Sequence, residues 1–173
     1  MDALLIRQAG PGDLELVREI GIRTFTESFA DFNTAEDISE YLSHAFHPDR
    51  VLSDLSNKDI RIRLAFYEGN VIGYTKTNRG ACQSEPLGAD HLELERIYVA
   101  SEAQGMGIGQ RLLDDVVLYA RGAGFTTLWL GVWENNPGAI RFYGRNGFAA
   151  FGNHDFMLGK DRQTDILMRR PVG

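Results

Sequence analysis

The stretch Leu94–Leu113, LERIYVASEAQGMGIGQRLL, constrains the fold more than any other part of the chain. An apolar run ending in Ile97, Tyr98 and Val99 leads to a loop with glycines at 105, 107 and 109, and a helical pattern departs at once. Glycine lets successive amide N–H groups turn toward one point and lets a ligand approach the backbone. The helix that follows adds partial positive charge at its first turn. Strand, loop and helix N-terminus together form an anion site suited to a pyrophosphate. The spacing is not that of a P-loop, because no Lys-Ser or Lys-Thr follows the last glycine. Nor is it a dinucleotide fingerprint, because Gln110 stands where the final glycine belongs.

Periodicity places this unit in a chain of alternating character. Ala3–Ala9 reads as a strand, and Pro11-Gly12-Asp13 opens a helix toward Phe29 with Leu14, Val17, Ile20 and Gly21 on one face. Asn33-Thr34 caps a second helix that stops near His47-Pro48, and a shorter helical stretch covers Asp49–Leu55. Arg61–Tyr67 and Val71–Thr77 read as strands around the turn Glu68-Gly69-Asn70, and Asn78–Asp90 as a polar loop. Leu92–Val99 alternates at Leu92 and Leu94 and then becomes continuously apolar. After the glycine loop come a helix with Leu112, Leu113, Val116, Val117 and Ala120 on one stripe and a buried-type strand, Thr126–Val132. A helix from Asn136 to Gly147 and strands near Phe148–Leu158 and Thr164–Arg169 finish the chain. The order β-α-α-β-β-β-α-β-α-β-β implies a mixed sheet with helices on both faces.

A length of 173 residues suits a single domain spanning 1–173. A net charge of −6 disfavours nucleic acid and suits a cationic small molecule. No apolar run approaches the roughly 18–20 residues of a membrane span. Met1–Gly10 lacks the basic-then-apolar signature of a signal peptide, and Cys82 is the sole cysteine. A cytoplasmic setting is therefore expected, without disulfides or cysteine zinc sites. His44, His47, His91 and His154 lack metal-ligand spacing, so no metal is expected. Oligomeric state is left open, a homodimer among the options.

Gln104-x-x-Gly107-x-Gly109 resembles the Q/R-x-x-G-x-G/A signature of the GNAT acetyltransferases. Asn136-Pro137-Gly138-Ala139-Ile140-Arg141-Phe142-Tyr143, followed by Gly147-Phe148, resembles that family's later motif N-x-x-A-x-x-F-Y-x-x-x-G-F. The resemblance implies an α/β (α+β) GNAT fold, with a central, mixed, mostly antiparallel twisted sheet of about seven strands. It implies acetyl-CoA as co-substrate. The loop Gln104, Gly105, Met106, Gly107, Ile108, Gly109 and Gln110 would hold the pyrophosphate, and amides near Ile97, Tyr98 and Val99 the pantetheine arm. Asn136 and Tyr143 lie seven residues apart, about 10 Å along one helical face, so one can meet the pantetheine while the other reaches the sulfur. Glu93–Val99, Trp129–Glu134, His154–Gly159, Gln163–Met168 and Thr24–Leu42 resemble the PaiA-type spermidine/spermine N-acetyltransferases. Departures fall at Pro137, Gly138 and Arg145, where the subgroup has polar residues and a lysine; Arg145 keeps the charge for the cofactor.

The chemistry is attack of a primary amine on a thioester, which needs a base, oxyanion donors and an acid for the leaving thiolate. Tyr143 is the expected acid and Glu95 the expected base, acting directly or through a water, with Glu93 as the spare. Tyr98 and Trp133 read as packing residues apart from the Tyr98 amide. The acceptor is expected to be a polyamine, drawn to Glu27, Asp31, Glu36 and Asp37 on the early helices. Two other readings are another amine acceptor (a protein N-terminus, an amino acid or an antibiotic) and a metabolite sensor using the same cofactor site.

Overall fold

A computed structural model describes residues 4–173. Among the described residues, seven strands form one sheet in the order β1-β2-β3-β4-β5-β7-β6. The strands are β1 (Leu5–Gln8), β2 (Ile60–Tyr67), β3 (Asn70–Asn78), β4 (His91–Val99), β5 (Thr127–Trp133), β6 (Ala149–Leu158) and β7 (Asp161–Pro171). The helices are α1 (Leu14–Phe29), α2 (Ala35–Ala45), α3 (Pro48–Ser56), α4 (Ile108–Gly122) and α5 (Pro137–Arg145). The order matches the sequence reading, with the stretch after Pro48 helical. Ala3, at the expected start of the first strand, lies outside the described residues. β7 runs beyond Thr164–Arg169 at both ends, to Asp161 through pairing with β6 and to Pro171 through pairing with β5.

Side-chain parity sorts the helices onto two faces. Leu92 and Leu94 of β4 and Leu128, Leu130 and Val132 of β5 pack on Leu113, Val116, Val117 and Ala120 of α4 and on Tyr143 of α5. Each large apolar side chain buried there contributes about 1.5–3 kcal/mol. On the other face, Val17 and Ile20 of α1 meet Phe46, Val51, Ile62, Leu64 and Tyr74. Gly21 is obligatory in that layer, since a Cβ would fall 2.0 Å from the Phe46 ring.

Two features of β4 set up the site. Its pairing with β3 shifts register between Lys76 and Thr77, so that Lys76 faces Arg96 while Thr77 faces Leu94. Glu95 is the extra residue of this bulge, and side-chain parity flips across it. That is why Leu92 and Leu94 share a face with Ile97 and Val99. The second feature is a split. β4 and β5 are the only parallel pair among the described residues, and their ladder covers only His91–Glu93 against Thr127–Trp129. Beyond it β4 stays with β3 to Val99 and β5 stays with β7 to Trp133, so the strands diverge and open a cleft through the sheet.

Candidate active site

The cleft continues into a cavity of about 370 Å³ that touches both faces of the sheet. Its α4–α5 end is lined by Gln104, Val99, Asn136, Ala139 and Tyr143. Its other end is lined by Glu93, Glu95, Tyr98, Trp133, His154 and Asp165.

The glycine loop leaves backbone N–H groups free at the start of α4. Gly105 and Gly107 adopt φ of +81° and +77°, where a side chain is strained, and a Cβ on either meets nothing within 4 Å. Gly107 is the N-cap of α4. Intrahelical bonding begins with Arg111 N donating to Gly107 O at 3.1 Å, which leaves the amides of Ile108, Gly109 and Gln110 without helical acceptors. Met106 N donates to Ala103 O at 3.4 Å and Gln104 N to Ser101 O at 3.3 Å, so those two amides close the turn instead of facing a ligand. The Gln104 side chain donates to Val99 O at 3.3 Å and ties the strand exit to the loop. Gln110 donates to Asn146 Oδ1 at 2.8 Å, docking the end of α5 on the first turn of α4. Arg145 precedes Asn146, is exposed, and lies outside the cavity lining.

The β4 amides divide by register. Ala100 N donates to Ile72 O at 2.8 Å, so Tyr98, two residues earlier, also points its amide at β3. The amides of Ile97 and Val99 point the other way, into the cleft that β5 has left open. Of the three amides expected to hold a pantetheine, the Tyr98 amide is therefore committed to the sheet. Tyr98 contributes its ring, 6.0 Å from that of Tyr74, to the cavity wall. Trp133 also lines the cavity, which exceeds the packing role expected of it.

Asn136 and Tyr143 sit on the cavity through α5. Asn136 Oδ1 caps the helix by accepting from Ala139 N at 3.1 Å. The Tyr143 ring is held edge-on by Phe142 and Phe148, with centroids 5.4 and 5.6 Å away. Burial alone raises its phenol above the ordinary tyrosine range, so it keeps its proton well into the alkaline range as well as at neutral pH. No hydrogen-bond partner is assigned to that hydroxyl among the described residues, and the residue lines the cavity.

Glu95 sits among cations that the sequence did not reveal. Its Oε2 lies 2.9 Å from Lys76 Nζ and accepts from Asn78 Nδ2 at 2.7 Å, while Oε1 lies 3.8 Å from Arg96. Burial opposes ionisation, but Lys76, Arg96 and Asn78 outweigh it and hold the carboxyl at about 2. A carboxylate this stabilised is a poor direct base near neutrality. It stays charged down to about pH 2 and is suited to orienting a water or a cation. Glu93 differs: burial raises it, and it accepts from Ser84 N at 2.9 Å and Asn78 Nδ2 at 3.1 Å with no cation beside it.

The early-helix carboxylates do not line the cavity. Glu27 pairs with Arg23 at 3.1 Å and accepts from Ser101 N at 2.9 Å. Asp37 accepts from Lys160 N at 3.0 Å, and with Glu36 it occupies the first turn of α2. The acidic wall comes from elsewhere. Asp165 and Gln163 of β7 and His154 of β6 line it, and the loop Asn78–Asp90 backs it through three consecutive residues. Gln83 accepts from Trp129 Nε1 at 2.7 Å, Ser84 donates to Glu93, and Glu85 lies 2.9 Å from His154 Nδ1. Among the described residues, no group of three or more His, Cys, Asp or Glu is arranged to hold a metal, and no helix is long and apolar enough to cross a membrane.

Residues 22–148 match the model of the Acetyltransferase (GNAT) family. The chain is 32% identical over 172 residues to an uncharacterised N-acetyltransferase encoded in the pepI 3′ region of Lactobacillus delbrueckii subsp. lactis, covering 99% of each. It is 29% identical over 92 residues to the spermine/spermidine N(1)-acetyltransferase of Bacillus subtilis (strain 168), covering 53% of this chain and 60% of the relative. Its fold is similar to that of the PaiA N-acetyltransferase from Thermoplasma acidophilum in complex with coenzyme A. The TM-score is 0.81 at 23% identity, covering 98% of this chain and 99% of the other.

Proposed function

The chain belongs to the GNAT family of acetyl-CoA-dependent N-acetyltransferases, and we propose that its acceptor is an aliphatic polyamine such as spermidine or spermine. The observation that carries this is the wall of the cavity on the α1 face. Glu93, Glu95 and Asp165 line it beside a single guanidinium, Arg96; Lys76 stands behind Glu95, paired also with Asp54, and Glu85 stands behind His154. Burial raises both Glu93 and Asp165, which a bound ammonium would reverse. Phe25, Phe29, Tyr41, Trp133 and Phe156 give the same space apolar and aromatic sides for methylene segments and cations. The net charge of −6 favours approach of a polycation. Partial similarity to a spermine/spermidine acetyltransferase supports the same reading.

In this proposal the loop amides of Gly105 and Gly107–Gln110 hold the pyrophosphate, with Arg145 at their flank. The Ile97 and Val99 amides face the pantetheine and the thioester in the cleft. The amine enters on the α1 face past Glu95, whose fixed charge orients it or a water beside it. Its lone pair attacks the carbonyl carbon, a cleft-facing amide stabilises the charge developing on oxygen, and Tyr143 protonates the departing sulfur.

The acceptor assignment is tested by steady-state kinetics. kcat/KM for spermidine is expected to exceed that for n-butylamine by at least about tenfold, roughly 1.4 kcal/mol of differential transition-state binding. The spermidine KM is expected to rise with ionic strength, since exposed charges are screened beyond about 8–10 Å near physiological salt. Equal kcat/KM for the two amines, or a preference for a peptide N-terminus, would remove the polyamine and leave the acetyl transfer standing.

A further inference from the structure

The cavity wall facing β4 holds a histidine between two carboxylates. His154 places Nδ1 2.9 Å from Glu85 Oε1 and Nε2 3.6 Å from Asp165 Oδ2. His154 and Asp165 are register partners on β6 and β7, so the sheet fixes their proximity. Both line the cavity, and their side chains are only 22% and 16% exposed. Gly131 of β5 clears the space before them. A Cβ there would lie 3.3 Å from both His154 Nε2 and Asp165 Oδ2. Nε2 thus faces β5 just past Trp129, where the β4–β5 ladder ends and the cleft begins.

The tautomer follows from hydrogen bonding. An ionised carboxylate only accepts, so the Glu85 contact calls for a proton on Nδ1; in the neutral ring Nε2 is then the acceptor, and in the imidazolium it is a donor toward Asp165. With the ring neutral, Nε2 and Asp165 Oδ2 are two acceptors 3.6 Å apart. A proton-bearing cation satisfies both, and an alkylammonium entering the cavity carries the required charge and N–H groups.

We propose that His154 Nε2 is the base that deprotonates the acceptor ammonium, with Glu85 as a positioning residue that sets its tautomer and Asp165 stabilising the imidazolium that forms. This rests on acetyl transfer in this cavity and is independent of which amine enters. The ammonium N–H bond breaks and its proton passes to Nε2. The freed lone pair forms the C–N bond, the C–S bond breaks, and sulfur takes the Tyr143 proton. The surplus proton on the new amide nitrogen returns through water to Tyr143, and the imidazolium releases its proton to solvent. The net reaction converts ammonium and thioester into amide, thiol and one proton. Imidazole is the ordinary side chain that exchanges a proton between pH 5 and 8. The groups facing His154 are Glu85 from the loop, Asp165 and Gln163 from β7, and Glu93, Glu95 and Arg96 across the cavity on β4. Glu95, held at about 2, is not the source of a limb near neutrality.

The test is kcat/KM against pH for the native chain, His154→Gln and Glu85→Gln. The acceptor is whichever of spermidine, n-butylamine or an alanine-ended peptide turns over fastest, and an acetyl-CoA thermal shift checks fold and cofactor binding. His154→Gln is expected to lower kcat/KM at pH 7 by at least about tenfold. The loss should shrink as the pH nears the amine's own pKa, about 10 for an aliphatic primary amine and about 8 for a peptide N-terminus, because the amine then arrives deprotonated. Glu85→Gln removes an anion that favours the imidazolium, so its acid limb should move to lower pH, and Glu85→Asp should restore it. A native profile in His154→Gln overturns the proposal, as does a loss that is the same at every pH. If His154→Gln no longer binds acetyl-CoA, Glu85→Gln decides: an unmoved limb overturns the assignment and a moved one supports it.

Discussion

Tyr143→Phe is expected to lower kcat by about 10²–10⁴-fold while the affinity for acetyl-CoA stays near that of the native chain. The substitution removes one hydroxyl and keeps the ring that Phe142 and Phe148 hold edge-on. The ring belongs to the core cluster beneath α4, so packing is preserved. What disappears is a proton that burial keeps on the phenol at neutral pH, at a residue lining the cleft. Single-turnover kinetics beside equilibrium binding separates the two quantities. A variant that turns over normally at every pH would return Tyr143 to a packing role. One that loses acetyl-CoA affinity and kcat in equal measure would make it a binding residue.

Gly107→Glu is expected to abolish the stabilisation that acetyl-CoA gives the chain on heating. Nothing lies within 4 Å of a Cβ at Gly107, so the new side chain extends into open space and not into the protein. It places a negative charge at the N-cap of α4, among the amides assigned to the pyrophosphate. Two unit charges about 4 Å apart interact by about 4 kcal/mol at an effective dielectric of 20, so Kd should rise by at least about 10²-fold. Because stabilisation follows RT ln(1 + [L]/Kd), the shift should vanish at ligand concentrations that saturate the native chain. Gly107→Ala carries the strain of φ +77° without the charge and should retain most of the shift. An undiminished shift in Gly107→Glu would place the anion elsewhere.

The elements proposed for the cofactor were legible in the sequence because they are local. Residues 97–110 are consecutive, glycine at a positive φ leaves a mark in composition, and one helix carries both Asn136 and Tyr143 to the cavity. The bulge at Glu95 also left a trace. Leu92 and Leu94 alternate, then Ile97 and Val99 resume on the other parity, and the structure explains the change of phase by one extra residue. The wall on the α1 face left only a family resemblance, at His154–Gly159 and Gln163–Met168, and no motif that joins its parts. It depends on β7 inserting between β5 and β6, which brings His154 and Asp165 beside Gly131. It also depends on a connecting loop folding back so that Gln83, Ser84 and Glu85 each meet a different side chain of the wall. The resemblance of Thr24–Leu42 and the carboxylates in it pointed instead to Glu27, Asp31, Glu36 and Asp37, two of which are spent on Arg23, Ser101 N and Lys160 N. Glu95 was located correctly on the cavity, but the buried Lys76 beside it comes from β3, and that neighbour turns a candidate base into a fixed charge.

The most direct test follows both products at once when the chain is given acetyl-CoA and spermidine. Free thiol is followed continuously and the amine product is identified by mass. One CoA thiol should appear for each amine that gains an acetyl group, at a rate that saturates in both substrates. Thermal stabilisation by acetyl-CoA, with the thioester left intact beside spermidine, spermine, n-butylamine and an alanine-ended peptide alike, would contradict the account. The cavity would then sense its ligand rather than transfer from it.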